Sequence, residues 1–120
     1  MDPGHWQQDT FARIISNPTG VYKLVIPRRF GKTHLLLRLQ TYFIGQGKRV
    51  NVYTTSLRTR EVYEANGYIH HHENPDVILV DDFDFIKHVL PLIDAALCIL
   101  TTSEHASPIT TKHTTLIMSR

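Results

Sequence analysis

Short apolar runs alternate along the chain with segments in which apolar residues recur every third or fourth position. Val77 to Val80 and Ala96 to Leu100 are continuous apolar stretches, the pattern of strands buried on both faces, and Val21 to Ile26, apolar but for Lys23, reads as another buried strand. Arg49-Val50-Asn51-Val52-Tyr53 alternates with the period of a strand, and Thr115 to Met118 offers a fifth. Between the strands, Trp6, Phe11, Ile14 and Ile15 predict a short helix over His5–Ser16. Leu35, Leu36, Leu39, Tyr42 and Phe43 mark the inner face of a second helix, with Gly45 and Gly47 as stop signals. Arg58 to Ala65 predicts a third, closed by Asn66-Gly67, and Phe85 to Ala96 a fourth, which Pro91 starts or kinks.

Strands that alternate with helices predict right-handed crossovers and a mainly parallel sheet of about five strands. Ligands of such sheets gather beyond the carboxyl ends of the strands. Three of those ends carry polar sets: Pro27 to Thr33, Asp81-Asp82, and Thr101-Thr102-Ser103. Their convergence on one point is the central expectation.

Composition narrows the picture without changing it. The chain has 120 residues, one domain's worth, with 42% hydrophobic and 20% charged residues, a globular and not a disordered balance. No apolar run approaches the roughly 20 residues of a membrane helix, and the first residues carry neither the basic nor the apolar part of a secretory signal. Cys98 is the only cysteine, so no internal disulfide forms, in keeping with an intracellular compartment. The net charge of +2 neither demands nor excludes nucleic acid. The basic residues Lys23, Arg28, Arg29, Lys32 and Arg38 crowd around one loop in the sequence, and clustering matters more than the total for binding phosphates.

That loop joins the first buried strand to the second helix and ends in Gly31-Lys32-Thr33. From average composition such a tripeptide arises in a chain this long roughly one time in twenty, so its position carries the argument. A loop leading from a strand into a helix points backbone N–H groups at one spot, and the helix dipole adds positive potential there. Gly31 lets the backbone approach a phosphate, Lys32 reaches the β- and γ-phosphates, and the Thr33 hydroxyl can ligate Mg²⁺. The strict G-x-x-x-x-G-K-[ST] pattern fails, since Ile26 stands where the first glycine belongs. Pro27 fixes the backbone and gives up a donor. Arg28 and Arg29 add charge. One of them can stabilise a transition state in cis; in the alternative, both are solvated or hold DNA or an acidic neighbour.

The run Val77-Ile78-Leu79-Val80-Asp81-Asp82 places two acids after a hydrophobic strand. Asp81 would hold Mg²⁺, directly or through water, and Asp82 would orient or deprotonate the attacking water. The competing reading is a plain strand-to-loop boundary, where Asp is common. Thr101, Thr102 and Ser103 could sense the γ-phosphate or merely form a turn or cap. His70-His71-His72 is read as a solvated loop or strand, because adjacent residues of a strand point to opposite faces and cannot easily share one ion.

Taken in order, these residues resemble the ATPase domain of large terminase subunits, the viral DNA-packaging motors of tailed phages and herpesviruses. Trp6-Gln7 looks like the family's adenine-binding aromatic–Gln pair. Pro27-Arg28-Arg29-Phe30-Gly31-Lys32-Thr33 resembles its divergent phosphate loop, Val80-Asp81-Asp82-Phe83-Asp84-Phe85-Ile86 its acidic segment, and Thr101-Thr102-Ser103 its coupling element. The likeness implies a three-layer αβα P-loop NTPase, and residues 1–120 are then expected to be a single ATPase-like domain without the family's nuclease domain. It implies ATP and Mg²⁺ as cofactors, with Gln7 at adenine, Pro27 to Thr33 and Thr102 around the phosphates, and Thr33 and Asp81 at the metal. Catalysis would fall to Lys32, Asp82 and Arg28 or Arg29. Double-stranded DNA, a homo-oligomeric ring and viral assembly partners follow as partners, with no membrane, in an intracellular setting that for a virus is the host nucleus or cytoplasm. The family usually has Glu where Asp82 stands, which points to slow hydrolysis. Two other functions compete: a small nucleotide or metabolite kinase, and a catalytically weakened nucleotide-binding regulatory module.

Overall fold

The computed structural model describes residues 3–26, 32–54, 57–67, 72–81, 95–102 and 114–118. Helix α1 (Pro3–Ser16) leads into strand β1 (Gly20–Val25), followed by α2 (Lys32–Gly45), β2 (Val50–Tyr53), α3 (Leu57–Ala65), β3 (Val77–Val80), β4 (Leu97–Thr102) and β5 (Thr114–Met118). Strands β2, β3, β4 and β1 form, in that order, an all-parallel sheet. The backbone of β5 pairs in parallel with the free edge of β1, Val21 opposite Thr114 and Val25 opposite Met118.

Alternation along the strands sorts the core onto two faces. Tyr22, Leu24, Val50, Val52, Val77, Leu79, Leu97 and Ile99 pack with Trp6 and Ile14 of α1, Leu35, Leu36, Leu39 and Phe43 of α2, and Tyr63 of α3. All three described helices therefore bury their apolar stripes against one face. On the other face Val21, Ile78, Val80, Cys98 and Leu100 form a second buried cluster. Burial on both sides is why β3 and β4 read as unbroken apolar runs. The radius of gyration, 13.0 Å, is close to the ~13–14 Å of a compact chain of this length.

Helix α2 ends where the glycines predicted. Gly47 has φ +78°, its N–H donates to Ile44 O at 3.0 Å, and the Lys48 N–H donates to Phe43 O at 3.0 Å. These are the paired bonds of a Schellman cap, whose left-handed residue glycine adopts without a Cβ penalty. Strand β4 runs past the apolar run to take in Thr101 and Thr102 at its carboxyl end. Both have the β-branched shape that suits a pleated surface, and the ladder with β1 continues to the pair Val25–Thr102. Strand β5, expected over Thr115 to Met118, opens one residue earlier at Thr114. Residues 85–94 of the expected fourth helix lie outside the described residues; Ala95 and Ala96 are not helical, and Ala96 O accepts the Gly20 N–H at 2.9 Å. Among the described residues no helix is long and apolar enough to cross a membrane.

Candidate functional site

Strands β1 and β3 are both neighbours of β4, so about 10 Å separates their axes. The registers level their carboxyl ends: Leu24 lies opposite Thr101, and Val80 opposite Leu100. Asp81, one residue past β3, is thus level with Thr101 and with the end of β1. Its backbone N–H donates to Tyr53 O of β2 at 2.8 Å, which carries the ladder one residue beyond the strand. The alternation that puts Val77 and Leu79 on the helix-covered face puts Asp81 there too.

Helix α2 crosses this face and brings its first turn to Asp81. The Thr33 hydroxyl donates to Asp81 Oδ2 at 2.8 Å, joining residues 48 apart in sequence. The Tyr63 hydroxyl donates to the same oxygen at 3.0 Å. Asp81 is 2% exposed and Tyr63 fully buried, while Thr33 is partly exposed, so the cluster opens on the Thr33 side. Beside it, Thr101 is fully buried and its hydroxyl makes a long bond, 3.4 Å, to Val80 O. The helix has no acid of its own in its first turn; Asp81 stands near the positive end of the dipole, where an anion is favoured.

The donor set fits a hard divalent cation. A hydroxyl that gives its proton to a carboxylate keeps its oxygen lone pairs for a metal. Mg²⁺ ordinarily takes one or two protein oxygens and completes its shell with phosphates and water. Thr33 would be the direct ligand, with Asp81 holding it or a bound water in place.

Of the other predicted site residues, Lys32 is the first residue of α2, and Thr102 the last of β4, paired in register with Val25. Gln7 is buried on α1 beside Trp6, and Trp6 belongs to the main core. Pro27, Arg28, Arg29, Phe30, Gly31 and Asp82 lie outside the described residues.

Two further members of the basic cluster read from the sequence fall on β1 and α2. Lys23 is 6% exposed within β1, and Arg38, farther along α2, stacks over the Phe11 ring at 4.7 Å. Among the described residues no group of three or more His, Cys, Asp or Glu could hold a metal. His72 is bound through its backbone, exchanging bonds of 2.8 Å with the Asn51 side chain; His70 and His71 lie outside the described residues.

Sequence reasoning missed Tyr63. It is the one buried residue of α3, whose remaining positions are polar or exposed. Nothing in one dimension says that its hydroxyl reaches an acid 18 residues on. The chain matches no protein-family model, and comparison with curated proteins and with solved structures returns no match.

Proposed function

We propose that the protein is a P-loop ATPase of three-layer αβα type, binding ATP with Mg²⁺ at the carboxyl ends of β1, β3 and β4. The observation that carries this reading is the Thr33–Asp81 hydrogen bond. The hydroxyl of the Gly-Lys-Thr motif and the acid after the apolar strand were assigned to one metal by chemistry, and they meet across an intervening strand. Lys32, immediately before Thr33 at the start of α2, would neutralise the β- and γ-phosphates. Arg28 or Arg29 would stabilise charge in the transition state, and Asp82 would orient the attacking water. Bound Mg²⁺ would supply charge neutralisation at the phosphates. The resemblance to packaging motors extends the proposal to double-stranded DNA and a ring of copies as the setting of hydrolysis.

The test is ATP hydrolysis with Mg²⁺, with and without double-stranded DNA. The reading expects turnover that Lys32→Ala removes and Asp82→Asn slows while leaving binding intact. Wild-type turnover in Lys32→Ala would contradict the loop assignment. Phosphate transfer to a nucleoside monophosphate in preference to water would decide for a kinase, and ATP binding without turnover for a regulatory module.

A further inference from the structure

The magnesium reading uses Thr33 and Asp81 and leaves Tyr63 without a role. Its placement is more than packing requires. The phenol reaches Asp81 Oδ2 at 3.0 Å, and the residue's own carbonyl accepts a bond from Gln40 Nε2 at 3.2 Å. The same amide donates to Asn66 O at 3.2 Å, so one fully buried side chain of α2 holds a carbonyl in the last turn of α3 and another just past its end. Gln40 lies seven residues after Thr33, about 10 Å farther along α2 at 1.5 Å per residue. The path Thr33–Asp81–Tyr63–Gln40 therefore leaves α2 at its first turn and rejoins it two turns later. Within it the ring of Tyr63 spans from the end of α3 to the carboxylate.

We propose, resting on the functional reading above, that Tyr63 is a positioning residue for the metal site: its hydroxyl fixes the rotation of the Asp81 carboxylate so that Oδ2 faces Thr33. A carboxylate turns easily about its terminal torsion. A second donor on the same oxygen, brought by a second helix, restricts that rotation further. Because α2 holds the backbone of Tyr63, displacement of α3 would also displace Asp81, and occupation of the site would in turn tighten α3.

The experiment titrates Mg²⁺ against wild type, Tyr63→Phe and the exposed-site control Leu57→Ala, reading ATP affinity by calorimetry and following thermal unfolding of the nucleotide-free chains. Tyr63→Phe keeps the ring that fills the core and removes only the hydroxyl. The half-saturating Mg²⁺ concentration is expected to rise about tenfold in Tyr63→Phe, the scale of one hydrogen bond to a charged group. It should stay unchanged in Leu57→Ala, with ATP affinity in the absence of Mg²⁺ alike in all three. A Tyr63→Phe curve that coincides with wild type, or moves to lower Mg²⁺, overturns the proposal. So does an equal loss of ATP affinity with and without Mg²⁺, which would mean that the residue acts through the fold alone. If ATP binding by the wild type does not respond to Mg²⁺ at all, the functional reading itself falls and takes the proposal with it.

Discussion

Strand β3 has an aspartate at each end, and the two are held in opposite ways. Asp76, just before the strand, is partly exposed and gripped by Arg49. The guanidinium donates from Nε to Oδ2 at 3.2 Å and from Nη2 to Oδ1 at 3.1 Å, and the Arg49 backbone N–H donates to Oδ2 at 2.8 Å. Asp81, just after the strand, is buried and takes two neutral hydroxyls on one oxygen. Both oxygens of Asp76 are matched to a cation that belongs to the protein. Its work is to fasten the amino end of β2 to that of β3, where the Asp76 and Val77 N–H groups also bond Arg49 O at 2.8 and 3.1 Å. At the other end the hydroxyls of Thr33 and Tyr63 donate to one oxygen, and a hydroxyl orients a carboxylate without supplying a full charge. The same residue type thus makes a clamp at one end of a four-residue strand and, in the proposed function, would serve a cation site at the other. Partner identity and depth separate the roles; the side chain does not.

The sharpest way to break this contrast is to neutralise each acid in turn. Asp81→Asn keeps the shape and removes the charge, and Mg²⁺-dependent turnover should fall ~100-fold. Asp76→Asn should leave turnover unchanged. Equal losses in steady-state rate from the two would erase the distinction. Next in size is the α2–α3 tie. Gln40→Leu strips donors from two carbonyls, Tyr63 O and Asn66 O, and should cost about 1–3 kcal/mol in denaturant unfolding. A change within 0.5 kcal/mol, roughly that of a surface substitution, would show that the tie contributes little.

Acid sharpens the comparison from the clamp side. Arg49 holds the Asp76 carboxyl at about 2, below its ordinary 3.8, first through the side-chain hydrogen bond and then through the backbone one. The folded value is depressed, so the contribution to stability is complete above about 4 and is lost as pH falls toward about 2. Unfolding midpoints measured across that window should decline less steeply in Asp76→Asn than in wild type. The smallest effect belongs to Cys98. Burial pushes its thiol up to about 12, so iodoacetamide at neutral pH should label it only in denaturant. Fast labelling of the native chain would show that the second face of the sheet opens readily.

The described elements were largely legible in the sequence because each carries its own period. The runs Val77 to Val80 and Leu97 to Leu100 announce strands covered on both faces, and Leu35, Leu36, Leu39 and Phe43 announce the buried stripe of α2. Thr33 and Asp81 were legible for a chemical reason: a hydroxyl after Gly-Lys and an acid after an apolar strand each have a recognised use at a phosphate site. What failed was what depends on the third dimension. The pattern of basic residues does not tell that Lys23 is buried within β1 or that Arg38 lies over the Phe11 ring. The apolar run stops at Leu100, although a ladder partner carries β4 on through Thr101 and Thr102. Tyr63 was invisible because its meaning comes from α2 and β3, which chain order alone does not bring to it.

The central claim is that Thr33 and Asp81 act as one magnesium–triphosphate site, and a double-mutant cycle on Mg·ATP affinity tests it most directly. Thr33→Val and Asp81→Asn are measured singly and together by calorimetry. The account predicts losses that overlap, with a coupling of about 1–3 kcal/mol, as expected of two side chains joined by a hydrogen bond and sharing one ligand. Losses that simply add, or a wild type that produces no binding heat at millimolar Mg·ATP, would contradict it.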